Sequence, residues 1–287
     1  MAEIWNGWDQ QALDREYNAR ASVPDYDAEV ERYRTLSAAA RTVLPHTPGL
    51  VFDPQSGNAL DWFSGAPGGP VLLWVHGGYW RALARHDQSC VAPGLVAAGV
   101  HVAVMDYTLV PAATLDEIVR QVRAACAWVA AHAAGLGAGP ARLFVGGSSA
   151  GGHLAGMVLA GGWHAEFGLR PDAICGAVAL SGLYDMDPVR LSFVNDWMQL
   201  TASDAARLSP IRLIPPTGPA PRLLAAHGML ETSEFQRQTS DYAAAWTAAG
   251  HQAHVAPQPG RNHFNVVTAL GDAADPMCQA AAAFLLA

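Results

Sequence analysis

Lysine is absent from all 287 residues, so the 17 basic side chains are all arginine. That absence removes Schiff-base chemistry, a phosphate-loop lysine and a lysine general base at once. Charge is scarce in general, at 15% of residues, and its balance is acidic, with a formal net charge of -8. No basic cluster interrupts that balance, which argues against nucleic acid or an anionic membrane as partner. Cysteine is scarce too: Cys90, Cys126, Cys175 and Cys278 lie far apart among small aliphatic residues. They lack the paired spacing of a zinc site, a redox dithiol or a disulfide scaffold, and read as buried thiols. No apolar run is long enough to span a bilayer, and the opening Met1-Ala2-Glu3-Ile4-Trp5 has no basic stretch leading into an apolar one. A cytoplasmic protein is therefore expected. The 11 histidines include no HExxH pair, so neither a metal nor another cofactor is expected.

What is present is apolar: 51% of residues are hydrophobic, enough for a sizeable core. From about Ala59 onward, strand-like runs alternate with helical ones, the pattern of a mostly parallel α/β sheet. Strands are expected at Val71–Val75, His101–Met105, Arg142–Gly146, Ala177–Leu180, Arg222–Ala226 and His254–Ala256. Between Thr114 and Ala134 the residues Leu115, Ile118, Val119, Val122, Ala125 and Val129 recur at helical spacing, leaving Arg120 and Arg123 to face water. Gly135 and Pro140 punctuate the loop that follows. Residues 185–216 break the rhythm and carry Phe193, Trp197, Met198 and Leu200, which suggests a small helical cap over a site. Residues 1–45 include polar helical stretches such as Asp25 to Arg41 and read as an arm across the mouth of the sheet. With no flexible linker and no internal repeat, a single domain over residues 1–287 is expected.

The most informative stretch is Gly147-Ser148-Ser149-Ala150-Gly151, a G-x-S-x-G set between a buried-strand run and a helical run. A sharp strand-to-helix turn holds its middle residue in a strained conformation that small neighbours make tolerable. The turn lifts the Ser149 hydroxyl clear of the backbone, at a helix N-terminus that favours developing negative charge. A serine hydroxyl needs a base, and in folds with such an elbow an acid and then a histidine follow it in the chain. His263, in Gly260-Arg261-Asn262-His263-Phe264 beyond the last strand, suits the base. His227 lies upstream of the acid candidates, and His251 and His254 make a poor pair on a strand. His76 and His153 are expected to brace loops. The acid belongs after the strand Arg222–Ala226; Glu231 is best placed, Glu234 is the alternative at a helix start, and Asp241 lies too far along. For the oxyanion, His76-Gly77-Gly78-Tyr79-Trp80 follows the strand Val71–Val75, and its unobstructed amides would act with the Ala150 N–H of the elbow. The glycine-rich Gly135–Pro140 stretch follows a helix and lacks nucleotide-loop register.

Together His76-Gly77-Gly78-Tyr79-Trp80, Gly147-Ser148-Ser149-Ala150-Gly151-Gly152-His153 and Asn262-His263-Phe264 resemble the α/β-hydrolase superfamily over essentially all of the chain after Leu50. Within it they look like the kynurenine formamidase (arylformamidase) branch, beside the hormone-sensitive-lipase-like esterases. The segment Leu13-Asp14-Arg15-Glu16-Tyr17-Asn18 is similar to the openings of that branch. The resemblance implies an α/β-hydrolase fold, triad roles for Ser149, Glu231 and His263, and oxyanion amides from Gly77, Gly78, Tyr79 and Ala150. One departure is that the family usually carries aspartate where Glu231 stands.

Three functions follow as expectations. The first is a metal-independent serine hydrolase that removes a small acyl group from an aryl amide of the N-formylkynurenine type, with Tyr79, Trp80, Phe193, Trp197 and Phe264 available to line an aromatic pocket. The second is a carboxylesterase using the same machinery on short-chain or aryl esters. The third is a non-catalytic receptor on the same fold, in which a triad member would be lost. A homodimer is left open.

Overall fold

Val71-Leu72-Leu73-Trp74-Val75 is buried along its whole length, as befits a parallel strand covered on both faces. The computed structural model describes residues 3–139, 142–216 and 221–287. Pro140, read above as loop punctuation, lies outside the described residues.

The strands are β1 His46–Asp53, β2 Asn58–Phe63, β3 Val71–Val75, β4 His101–Met105, β5 Leu143–Ser148, β6 Ile174–Leu180, β7 Arg222–Gly228 and β8 Ala253–Gln258. They form one sheet in the order β1-β2-β4-β3-β5-β6-β7-β8. Strands β3 to β8 run parallel, while β2 is antiparallel to both β1 and β4. The helices are α1 Gln10–Tyr17, α2 Tyr26–Val43, α3 Ala92–Ala97, α4 Leu115–His132, α5 Ala150–Leu159, α6 Met186–Leu191, α7 Asn195–Met198, α8 Ala202–Arg207, α9 Ser233–Ala248, α10 Asn265–Thr268 and α11 Pro276–Leu286. The expected mostly parallel sheet with flanking helices is what the chain builds.

Strand order reverses around β3, because the chain builds β4 on one side and then crosses through α4 to β5 on the other. Loops leaving the carboxyl ends of β3 and β5 therefore part, and sheets of this kind bind ligands in the crevice so formed. Those loops carry His76-Gly77-Gly78 and Ser149.

Strands β1 and β2 were not anticipated. Pro48 and Gly49 interrupt β1, whose first residues are largely exposed, and its register slips between Thr47 and Leu50. In β2 the buried Asp61 breaks the apolar run; Arg41 and Arg85 pair with it, and the Gly49 amide donates to it at 2.9 Å. Burial alone would raise this carboxyl's pKa, but the Arg41 and Gly49 hydrogen bonds hold it below the ordinary value.

Helix α4 buries the predicted stripe and starts at the Thr114 cap. Arg120 and Arg123, expected to face water, are instead half-buried: Arg120 pairs with Asp53 at the end of β1, and Arg123 lies over Trp163 while donating to the Met157 carbonyl. Cys90, Cys126 and Cys278 are buried thiols, whereas Cys175 is half-buried. Residues 185–216 form α6, α7 and α8 without a strand. Among the described residues, no helix is long and apolar enough to cross a membrane.

Candidate active site

Ser149 lies between β5 and α5, as the N-cap of α5, with φ 57° and ψ -118°, a positive-φ conformation rare for a residue with a side chain. Its amide donates to Leu180 of β6 at 2.9 Å, and its carbonyl accepts the first α5 hydrogen bond from His153. The turn closes because Gly151 has no side chain; a Cβ there would lie 2.0 Å from the Val75 carbonyl oxygen of β3.

Two loops supply the other expected groups. The loop after β8 is ordered by Asn262, whose side-chain oxygen accepts from the amides of Phe264 and Asn265. The loop after β7 is tied to it by a hydrogen bond from the Leu230 amide to the Arg261 carbonyl. This brings Glu231 Oε2 to 2.7 Å from His263 Nδ1, with both side chains buried. The other Glu231 oxygen accepts from the Ser181 hydroxyl at 2.6 Å and from the Gly228 amide. A carboxylate deprived of water needs such donors to stay ionised. An imidazole that donates from Nδ1 to Glu231 presents Nε2 as its basic nitrogen. The ring packs against Phe235, centroids 4.3 Å apart, and against Phe264 at 5.5 Å.

Glu234, the alternative acid, faces elsewhere: it accepts from the Tyr17 phenol at 2.6 Å and is paired with Arg237 through both oxygens. Asp241 pairs with Arg237 at 2.8 Å. Ser181 escaped the sequence reading; its signal is a small hydroxyl residue directly after a buried strand, at φ 49°.

The loop after β3 is held by its carbonyls and side chains. The Tyr107 phenol donates to the carbonyls of His76 and Gly77, Trp197 Nε1 donates to the Tyr79 carbonyl, and the Tyr79 phenol donates to the Tyr17 carbonyl. Gly78 sits at φ +102°, where a Cβ would meet the Ala82 carbonyl oxygen at 2.2 Å. Gly77 packs against the serine turn, for its Cβ would lie 2.8 Å from the Ser148 oxygen and 3.3 Å from the Ser149 Cβ. Among the described residues, the amides of Gly78, Tyr79 and Ala150 have no protein acceptor.

Ser149, His263, Gly77, Gly78 and Tyr79 line one cavity of about 110 Å³. Phe193 and Trp197, from residues 185–216, and Phe264 line it too. Trp80 does not. Its ring is fully buried and meets His153 edge-on, centroids 5.1 Å apart, so it belongs to the packing beneath the cavity wall. His153 Nε2 lies 2.9 Å from the Leu208 carbonyl after α8, and His76 Nδ1 lies 2.8 Å from the Gly77 carbonyl while its ring stacks on Tyr107. Burial lowers the pKa of both imidazoles to about 4, so they brace loops as neutral rings.

The arm contributes more than a cover. Tyr26, Val30 and Tyr33 of α2 line the cavity, as do Asn18, Ala19 and Arg20 just before it. The Tyr33 phenol donates to the Phe264 carbonyl at 2.8 Å, and Glu29 accepts from the Asn262 side chain at 2.6 Å. Helix α1 reaches the acid loop, where the Glu16 carboxylate accepts from the Ser233 hydroxyl and the Glu234 amide.

Comparison with known proteins fits this geometry. The BD-FAE family model matches residues 64–168, a span holding the Gly77-Gly78 loop and the Ser149 elbow. The kynurenine formamidase of Salmo salar is 31% identical over 210 residues, covering 71% of this chain and 68% of the relative. The chain belongs to the kynurenine formamidase family. The kynurenine formamidase of Danio rerio is 27% identical over 283 residues, covering 93% of this chain and 94% of the relative. A crystal structure from Silicibacter sp. TM1040, provisionally assigned as a thioesterase, superposes with a TM-score of 0.78 at 26% identity, covering 96% of this chain and 99% of that one. This formamidase-family chain is thus a hydrolase with the α/β-hydrolase fold.

Proposed function

We propose that this hydrolase removes the formyl group from an aryl formamide of the N-formylkynurenine type, through an acyl enzyme on Ser149. The observation that carries the reading is the 2.7 Å contact of Glu231 with His263, whose ring shares an aromatic-lined cavity with Ser149. His263 Nε2 takes the Ser149 proton as the oxygen attacks the formyl carbon. The negative charge gathering on the carbonyl oxygen is met by amides among Gly77, Gly78, Tyr79 and Ala150. His263 then gives its proton to the departing aryl nitrogen, the carbon–nitrogen bond breaks, and the amine leaves. Water, deprotonated by the same ring, attacks the formyl ester and releases formate and free Ser149. Glu231 fixes the tautomer throughout and stabilises the imidazolium. The steps are redox-neutral and use these side chains and water alone. The whole chain acts as one domain in this reading, and the relatives named kynurenine formamidase support a kynurenine-type formamide as the substrate.

The test is a substrate panel comparing N-formylkynurenine with short- and medium-chain p-nitrophenyl esters, using Ser149→Ala as control. The formamide should give the highest kcat/KM, and Ser149→Ala should abolish all turnover. A preference for esters by orders of magnitude would replace this reading with a carboxylesterase.

A further inference from the structure

The cavity carries charge of one sign. Its described lining includes two arginines, Arg20 and Arg81, and neither aspartate nor glutamate, in a chain whose net charge is -8. Most arginines of this protein are spoken for by carboxylates: Arg41 and Arg85 by Asp61, Arg237 by Glu234, Arg261 by Asp275. Arg20 and Arg81 are exceptions, for among the described residues no carboxylate lies within ion-pair distance of either. Each instead lies over an aromatic ring of the cavity wall: Arg20 over Tyr26 at 4.5 Å, and Arg81 over Trp197 at 3.8 Å from the centroid. Stacking fixes the guanidinium plane while leaving its N–H edges free. Tyr26, Val30 and Leu83 also line an adjoining groove that carries Asp25, Asp27, Glu31 and Asp87; there Asp25 caps α2, Asp87 is engaged by Arg34 and the Ala84 amide, and Glu31 lies 4.0 Å from Arg34.

We propose that Arg20 and Arg81 form an anion subsite that reads a carboxylate on the substrate's side chain, remote from the acyl group cleaved at Ser149. The inference rests on the formamidase reading and deepens it. A guanidinium matches a carboxylate by paired N–H···O bonds, and both cations raise the local concentration of an anionic substrate against the acidic background. The same lining offers no carboxylate to an ammonium. For an amino-acid-bearing formamide, the carboxylate is therefore read and the amino group is not. Arg20 comes from the arm and Arg81 from the loop after β3, so the subsite also makes the arm part of specificity.

The experiment measures kcat/KM for N-formylkynurenine, its analogue lacking the amino group and its analogue lacking the carboxylate. It uses wild type, Arg20→Gln, Arg81→Gln, Arg81→Lys and the double glutamine variant, with thermal melts to confirm folding. Wild type should treat the first two substrates alike and disfavour the third by more than tenfold, chiefly through KM. Each glutamine substitution should cut that preference by about fivefold, the double variant should nearly erase it, and Arg81→Lys should restore part of it. Raising ionic strength should also shrink the preference. Equal use of all three substrates by wild type, or equal losses for every substrate in the variants, would overturn the subsite. A matched pair of aryl acetates, with and without a carboxyethyl chain, separates the two claims. Arginine-dependent preference for the carboxylated ester with no formamide turnover would sink the formamidase reading and keep the subsite.

Discussion

Tyr33, in the middle of α2, donates its phenol to the carbonyl of Phe264, the residue next to His263, at 2.8 Å. The arm and the loop of the candidate base are thus one packed unit, although 231 positions separate the two residues in sequence. Tyr33→Phe keeps the ring and removes the hydrogen bond. It should cost about 1–2 kcal/mol of stability, since the Phe264 carbonyl loses its donor in a buried place. Turnover should fall several-fold with a smaller change in KM, because in the proposed mechanism the bond orients His263, while the Tyr33 ring that lines the cavity is kept. Urea melts and steady-state kinetics on one preparation check both expectations.

Glu231 is held in place by the hydroxyl of Ser181 as well as by the Gly228 amide. Ser181→Ala leaves one carboxylate oxygen with a single donor, so kcat should fall about tenfold, as expected for one hydrogen bond to a buried charge. Glu231→Gln should fall much further, by about a thousandfold or more, because an amide cannot stabilise the imidazolium. Glu234→Gln, which disturbs the Tyr17 and Arg237 contacts, should act on stability more than on kcat. Comparing the three variants at saturating substrate separates the roles.

Gly78→Ala places a methyl group 2.2 Å from the Ala82 carbonyl oxygen at φ +102°, so the backbone of the loop must move. Displacing an oxyanion donor typically costs about 3–4 kcal/mol of transition-state stabilisation. The expected outcome is a loss of at least about a hundredfold in kcat with a smaller change in KM. Unchanged kcat would remove this loop from the oxyanion site.

Acid stability follows from the two neutral imidazoles. An unfolded histidine takes up its proton near pH 6.5, but buried His76 and His153 do so only near pH 4. Between those values the unfolded state binds more protons. Their contribution is therefore complete above about pH 6.5 and is lost as pH falls toward 4. Each should account for up to about 3 kcal/mol across that window, given 1.36 kcal/mol for each unit of displaced pKa. Denaturant melts from pH 7.5 to 4.5 should show the decline, and His153→Gln should flatten it. Asp53 and Asp61, whose pKa values their partners hold below the ordinary 3.8, add their loss only at lower pH.

The parallel strands are legible because burial on both faces demands continuous apolar runs such as Val71–Val75. Strands β1 and β2 are not, since an exposed edge interrupted by Pro48 and Gly49 and a buried Asp61 both imitate loops. The meeting of Glu231 with His263 is legible from chain order, because loops after adjacent parallel strands β7 and β8 emerge side by side. Trp80 misleads, for a positive φ of 58° in a tight loop turns its ring into the core. Arg20, Arg81 and Tyr33 leave no local signal; Arg20 and Tyr33 in a polar helical arm, and Arg81 in the loop after β3, look like ordinary surface until the chain folds them around the cavity.

If Ser149 is acylated with His263 as its base, an electrophile that mimics the acyl group must bond to that serine. Intact-protein mass spectrometry after treatment with a fluorophosphonate tests it most directly. One phosphonyl adduct is expected, mapped to Ser149, absent from Ser149→Ala and formed far more slowly in His263→Gln. An unlabelled wild type, or an adduct elsewhere while Ser149→Ala still hydrolyses substrate, would contradict it.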